Sequence, residues 1–168
     1  MIGEINFLRY HNRPYFAFMY SRQEATQLRK NFWTSFGQYM RPIPGAGDVH
    51  VNWLNYKTGI KHLYFRMDAD HNRATIAIEF RHPDRVLRQN YFAKFQQLEK
   101  LFHQTTEESW QWQLQAKDEY GKEVSRISTQ LKNVNVFNVN DWPVIISFLK
   151  PRMLALDTFW TMVKDGFE

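Results

Sequence analysis

An α+β domain built on an antiparallel sheet is the fold class this sequence predicts, and three observations predict it. From Ile60 to Arg81 the chain alternates apolar and polar residues in two runs with a polar turn between them, the pattern of a β-hairpin. A second alternation places Trp110, Trp112, Leu114 and Ala116 against Gln111, Gln113 and Gln115; it turns at Tyr120-Gly121-Lys122 and returns with Ser125, Ile127, Thr129 and Leu131 on one face. Around these hairpins lie three stretches whose apolar residues recur at helical spacing. The expected architecture is a single domain over residues 19–168, with a sheet of two hairpins plus a strand, about three helices, and the order α-β-β-β-α-β-β-α.

Residues 1–18 carry no clean period and are read as an N-terminal extension or arm, in which Tyr15 to Met19 would pair as an edge strand. Met19 sits two residues before a helix-start signal and is a candidate natural start; an ordered arm is the competing reading. The signal is Ser21-Arg22-Gln23-Glu24, a capping box in which the serine accepts from the third helical N–H and the glutamate reaches back. The helix it opens has Ala25, Leu28, Phe32, Phe36 and Met40 on one side, flanked by Trp33 and Tyr39, and Pro42, Pro44 and Gly45 end it. Asp48 to Asn55 reads as a short strand with Val49, Val51 and Trp53 inward, and Lys57-Thr58-Gly59 turns the chain into the first hairpin.

That hairpin has an apolar face of Leu63, Phe65, Met67, Ile76, Ile78 and Phe80. Its polar face holds His62, Tyr64, Arg66, Asp68, Thr75, Ala77, Glu79 and Arg81. Residues opposite one another share a face, so opposed positions must sum to an odd number. A four-residue loop, Ala69 to Asn72, sets Asp68 against Arg73 and His62 against Glu79. Pro83 and Asp84 then open a second helix with a stripe of Leu87, Tyr91, Phe95, Leu98 and Phe102. The tail from Asp141 reads as a helix broken or kinked near Pro151, and Leu154, Leu156, Phe159, Trp160 and Val163 make it too apolar to stand free. Trp110 and Trp112, at strand spacing, are read as core.

Composition narrows the function classes. At 168 residues, 17% of them aromatic, the chain is long enough to bury an aromatic core. There is no cysteine, which removes disulfides, thiol catalysis, iron–sulfur clusters and cysteine-ligated zinc. The opening MIGEINFLRY lacks a basic segment followed by an apolar run, and no apolar run spans a bilayer, so a cytoplasmic protein without membrane association is expected. A net charge of +5 leans towards polyanionic partners.

Asp68 followed by Glu79-Phe80-Arg81 resembles the metal-binding strand pair of the PD-(D/E)XK nucleases, with arginine where a lysine is expected. The parity argument places the two carboxylates about 13–20 Å apart along the hairpin, too far to share one metal ion. Asp48 from the neighbouring strand is the candidate replacement, so a nuclease reading would use Glu79, Asp68 or Asp48, and Arg81. Asp68, Asp70, Asn72 and Glu79 imitate a calcium-loop spacing, but the sixth position is Arg73 rather than glycine and the flanks are strands. The six histidines have no metal-site spacing, no phosphate-cradling glycine motif occurs, and no cofactor or metal is implied. The remaining signal is basic and aromatic: Arg66, Arg81, Arg85 and Arg88 would meet phosphates, with Tyr64 and His62 beside them. Internal salt bridges with Glu79 and Asp68 are the competing reading of the same face.

The stretches MYSRQEA, FWTSFGQYM, NWLNYKTGIKHLYFRMDAD, IAIEFRHPD, DWPVIISFLKPRM, LALDTFW and VKDGFE resemble an uncharacterised bacterial family, domain-of-unknown-function family 4268, over about residues 19–168. Similar domains occur alone or following a PD-(D/E)XK-like nuclease domain in longer proteins. The resemblance therefore implies an accessory role in nucleic-acid metabolism or defence and carries no functional residues with it. Three functions follow as expectations. The first is a non-enzymatic module that binds DNA, RNA or a nucleic-acid-processing protein; the second is a metal-dependent nuclease; the third is an interaction domain that self-associates through its aromatic surplus.

Overall fold

The computed structural model describes residues 21–168, so the edge-strand reading of Tyr15 to Met19 and the candidate start at Met19 lie outside the described residues. The chain is α+β, with one antiparallel sheet of four strands and four α-helices among the described residues. In order these are α1 (Arg22–Met40), β1 (Leu63–Ala69), β2 (Arg73–Phe80), α2 (Arg85–Gln97), α3 (Glu99–Thr106), β3 (Gln111–Lys117), β4 (Glu123–Lys132) and α4 (Trp142–Val163), with short 3-10 turns before and after α4. The strand order is β1-β2-β4-β3. The helices lie together on one face, where α4 contacts β1 and β2, and α2 contacts β2 and β4. No helix among the described residues is long and apolar enough to cross a membrane.

The core between the two layers is aromatic. Trp160 of α4 stacks on Phe95 of α2 and meets Phe65 of β1 edge-on, while Phe102 of α3 packs edge-on against Trp110, Trp112 and Phe159. Phe95, Phe102 and Phe159 are fully buried, and truncating any one of them would cost about 3–5 kcal/mol. The capping box of α1 forms as read: the Ser21 hydroxyl accepts the Glu24 amide at 3.1 Å, and the Glu24 carboxylate accepts the Ser21 amide at 2.7 Å. Phe32, Phe36 and Met40 are its buried stripe.

Four readings need correction. Asp48 to Asn55 is not a strand. Gly47 and Asp48 take positive φ, which takes the chain out of extended conformation, and the backbone of 41–62 is held from outside the sheet. The Ala46 amide donates to Asp157 of α4 at 2.7 Å, the Tyr56 hydroxyl donates to the same carboxylate at 2.6 Å, and the Trp160 indole donates to the Thr58 carbonyl at 2.9 Å. The element order is therefore α-β-β-α-α-β-β-α. The second helix divides at Leu98, whose amide turns back to Phe95, so Phe102 belongs to α3. The tail helix is not broken at Pro151 but continues from Trp142 to Val163; Pro151 and Ser147, whose carbonyl loses its helical donor, are both exposed to water. Leu114 is exposed, because a register shift in β3 between Gln113 and Ala116 ends the alternation that placed it inward.

The first hairpin keeps its two faces but in the other odd register. Tyr64 rather than His62 opposes Glu79, and Asp68 opposes Thr75. The turn is tighter than a four-residue loop because the Asp70 carboxylate accepts the amides of Asn72 and Arg73 at 2.8 and 2.9 Å.

Candidate functional site

The helices pack on the apolar side of the sheet, and among the described residues no helix lies over the polar side, although Arg29 of α1 reaches its rim. Side chains there line up in rows across the four strands. One row is Tyr64, Glu79, Arg126 and Gln113; the next is Arg66, Ala77, Ser128 and Gln111; a third is Asp68, Thr75 and Gln130. All of these except Tyr64 line a depression of about 950 Å3.

Glu79 is its electrostatic centre. It is 6% exposed, and its carboxylate holds three guanidinium groups: Arg81, hydrogen-bonded to Oε2; Arg126, with Nη2 3.1 Å from Oε1; and Arg66, with Nε at 3.9 Å. Arg81 also reaches Asp118 and Glu119, each at 3.3 Å, and Arg66 lies 3.7 Å from Glu119. Burial alone would push the Arg81 guanidinium down, but Glu79, Glu119 and Asp118 outweigh it and hold it above its ordinary value. Burial would likewise push Asp118 up, yet the amides of Lys122 and Tyr120 and the charge of Arg81 hold it below the usual carboxylate range. Glu119 is held down first by its own backbone amide and then by Arg81 and Arg66. Around the depression five cations (Arg29, Arg66, Arg73, Lys117 and Arg126) face five acids (Asp68, Asp70, Glu79, Asp118 and Glu119), and Arg81 beside it pairs with three of those acids. The charges of the surface nearly cancel, with amide and hydroxyl groups between the ions.

The six residues expected to meet nucleic acid are not one cationic patch. Arg66 and Arg81 are occupied as above. Arg88 is buried at 3% exposure, where it donates to the His82 carbonyl at 2.9 Å and pairs with Glu123 at 2.9 Å. Arg85 is exposed, 3.9 Å from the same Glu123. Tyr64 is exposed at the sheet edge. His62 precedes β1 with positive φ and packs its ring 4.8 Å from that of His82; burial, then His82, Lys61 and Lys122, lower its pKa.

The carboxylates of the nuclease reading do not converge. Asp68 and Glu79 share the polar face, but Asp68 is four residues along β1 from Tyr64, the residue opposite Glu79, which is about 13 Å. Asp48 is in the loop after α1. Among the described residues no three His, Asp or Glu side chains are grouped to hold a metal ion. The calcium-like spacing runs through two strands and the turn in which Asp70 caps main-chain amides.

Arg126, Gln130, Ser128, Asp118 and Glu119 belong to the face and were missed by sequence reasoning. The signal was present for three of them: with Ser125, Ile127 and Thr129 inward, the even-numbered residues of the return strand must face outward beside Glu79. Asp118 and Glu119 gave none, since a turn has no parity.

The family model for a domain of unknown function (DUF4268) matches residues 28–164. No curated protein and no solved structure matches the chain.

Proposed function

The chain belongs to the DUF4268 family, and from its own surface we propose that it is a non-enzymatic docking module whose open polar sheet face engages a protein partner. The observation that carries this reading is the near-balance of charge on a four-stranded face that no helix among the described residues covers. Five cations and five acids line one depression, Arg81 pairs with three of those acids from beside it, and Gln111, Gln113, Gln130, Ser128 and Thr75 supply neutral donors and acceptors. A phosphate backbone is held by uncompensated cations and releases counterions on binding. Here the arginines already hold carboxylates, so a polyanion would have to displace Glu79 or Glu119 to reach them. A protein surface of mixed charge has no such conflict, and the pre-formed arginine pairs present donors in fixed directions. A nucleic-acid-processing partner agrees with the company that similar domains keep.

A second reading, direct nucleic-acid binding, rests on the net charge of +5 and on exposed Tyr64 at the rim. Fluorescence anisotropy with single- and double-stranded DNA and RNA from low to physiological salt separates the two. The protein reading predicts no binding at physiological salt. Binding that persists there, falls linearly with log salt and is lost in Arg66→Ala with Arg126→Ala would replace it with the second.

A further inference from the structure

Away from the polar face, the segment between α1 and β1 folds against the C-terminal half of α4 and leaves a cleft of about 360 Å3 between them. It shares no lining residue with the depression on the sheet. Residues 41–62 form neither helix nor strand, and irregular segments longer than about 12–15 residues in a compact domain usually carry function. One wall of the cleft comes from α4 and its end, where Asp157, Trp160 and Lys164 recur at helical spacing. The other is the loop, with Ala46, Tyr56 and Lys57. The loop is fitted closely around the acid. The Ala46 amide and the Tyr56 hydroxyl each donate to one of its carboxylate oxygens, and a Cβ at Gly45 would collide with Val51 and press on Asp157 Oδ2. The acid is therefore fixed in place before any ligand arrives.

Asp157 is 5% exposed, and its two hydrogen-bond partners are an amide and a phenol, neither of which carries a balancing charge. Each carboxylate oxygen keeps a further lone pair. A buried carboxylate in such a place favours a cationic partner. A metal ion needs more ligands than one carboxylate supplies. A simple amine would be repelled by Lys57 and Lys164, which border the same cleft. A molecule that carries both charges suits both the acid and the lysines. We propose that this cleft binds a small zwitterion of the amino-acid class, its ammonium group on Asp157 and its carboxylate held by Lys57 and Lys164. The ammonium group makes a charge-assisted hydrogen bond to a fixed acceptor, and the flexible lysine stems follow the carboxylate. The inference goes beyond the reading of the polar face and is independent of it, because the two sites have no residue in common.

The test is proton–nitrogen NMR of the full chain, titrated separately with each of the standard amino acids. The reporters are the Ala46 amide and the Trp160 indole N–H, which donate to Asp157 and to the Thr58 carbonyl at the cleft. For the tightest binder, the N-acetyl derivative removes the ammonium group and the carboxamide derivative removes the carboxylate. The expected result is a saturable shift of both reporters by at least one amino acid, with affinity at least tenfold lower for each derivative. A similar loss is expected in the double variant Lys57→Gln with Lys164→Gln, whose substitutions fall on exposed residues and leave the fold intact. No saturable shift with any amino acid would overturn the proposal. Equal binding of either derivative would also overturn it, because one of the two charges would then go unread. So would equal binding by the double variant, which would remove the lysines from the site.

Discussion

Glu79 of β2 and Arg126 of β4 face each other directly across the strand ladder, with a guanidinium nitrogen 3.1 Å from the carboxylate, in the middle of a sheet face that no helix of the described chain covers. Arg66 and Arg81 converge on the same carboxylate, so one buried acid is shared by three guanidinium groups.

Removing that acid tests this directly. Glu79→Ala removes an almost fully buried carboxylate that three guanidinium groups share, and leaves Arg126 without an acidic partner while Arg81 keeps Asp118 and Glu119 and Arg66 keeps Glu119. Urea denaturation should show a loss of about 2–3 kcal/mol, the scale of hydrogen bonds to a charged group. The same variant should gain affinity for oligonucleotides at low salt, since the face loses one negative charge and Arg126 loses its acidic partner.

Acid sensitivity follows from the neighbours of Arg81. Asp118 and Glu119 have folded-state pKa values held below their ordinary ones, so they bind protons more readily when unfolded. Their contribution to stability is present above the ordinary carboxylate range and is lost as pH falls through the lowered folded values. Asp118→Asn should flatten the acid limb of stability against pH, measured by denaturant midpoints, and leave the neutral region with little slope.

Tyr56 behaves oppositely. Burial first, then the hydrogen bond and charge of Asp157, raise its pKa well above the ordinary tyrosine value. The neutral phenol is the form the fold favours, so its contribution is full below about pH 10 and is lost as pH rises beyond that. Ultraviolet titration should find one tyrosine that ionises only on alkaline unfolding, and Tyr56→Phe should lack it. The same substitution should lower stability at neutral pH by about 1–2 kcal/mol, because Asp157 is left with an unmet acceptor.

Arg152 and Glu108 form a two-pronged pair, both contacts 2.8 Å, with the guanidinium over the Phe148 ring and the Trp110 indole donating to the same carboxylate. It ties α4 to the start of β3. Arg152→Lys keeps the charge but loses the second prong and the stacking, and calorimetry should show a loss of about 1–2 kcal/mol.

What the sequence made legible was parity. The alternation of Leu63, Phe65 and Met67 with Tyr64, Arg66 and Asp68 placed every residue of the first hairpin on its correct face, and the same rule put Trp110 and Trp112 towards the core. Register was not legible, because the Asp70 carboxylate closes a turn tighter than loop length suggests. The segment 41–62 reads as a strand by its valines but is organised by Asp157, over a hundred residues away in the chain. Arg88 looked like an exposed helical arginine; its burial depends on Glu123 from a different hairpin. The charge balance of the polar face needed Arg126, Asp118 and Glu119 to be brought beside Glu79 by the β2–β4 pairing, which crosses two helices in sequence.

The most direct measurement is photo-crosslinking in the native host from benzoylphenylalanine placed at Gln113 or Gln130 on the polar face, with Gln96 on exposed α2 as the control. The docking account predicts a discrete protein adduct from both face positions that is absent from the control and lost in Arg126→Glu. Adducts to nucleic acid alone, or no adduct from either face position, would contradict it.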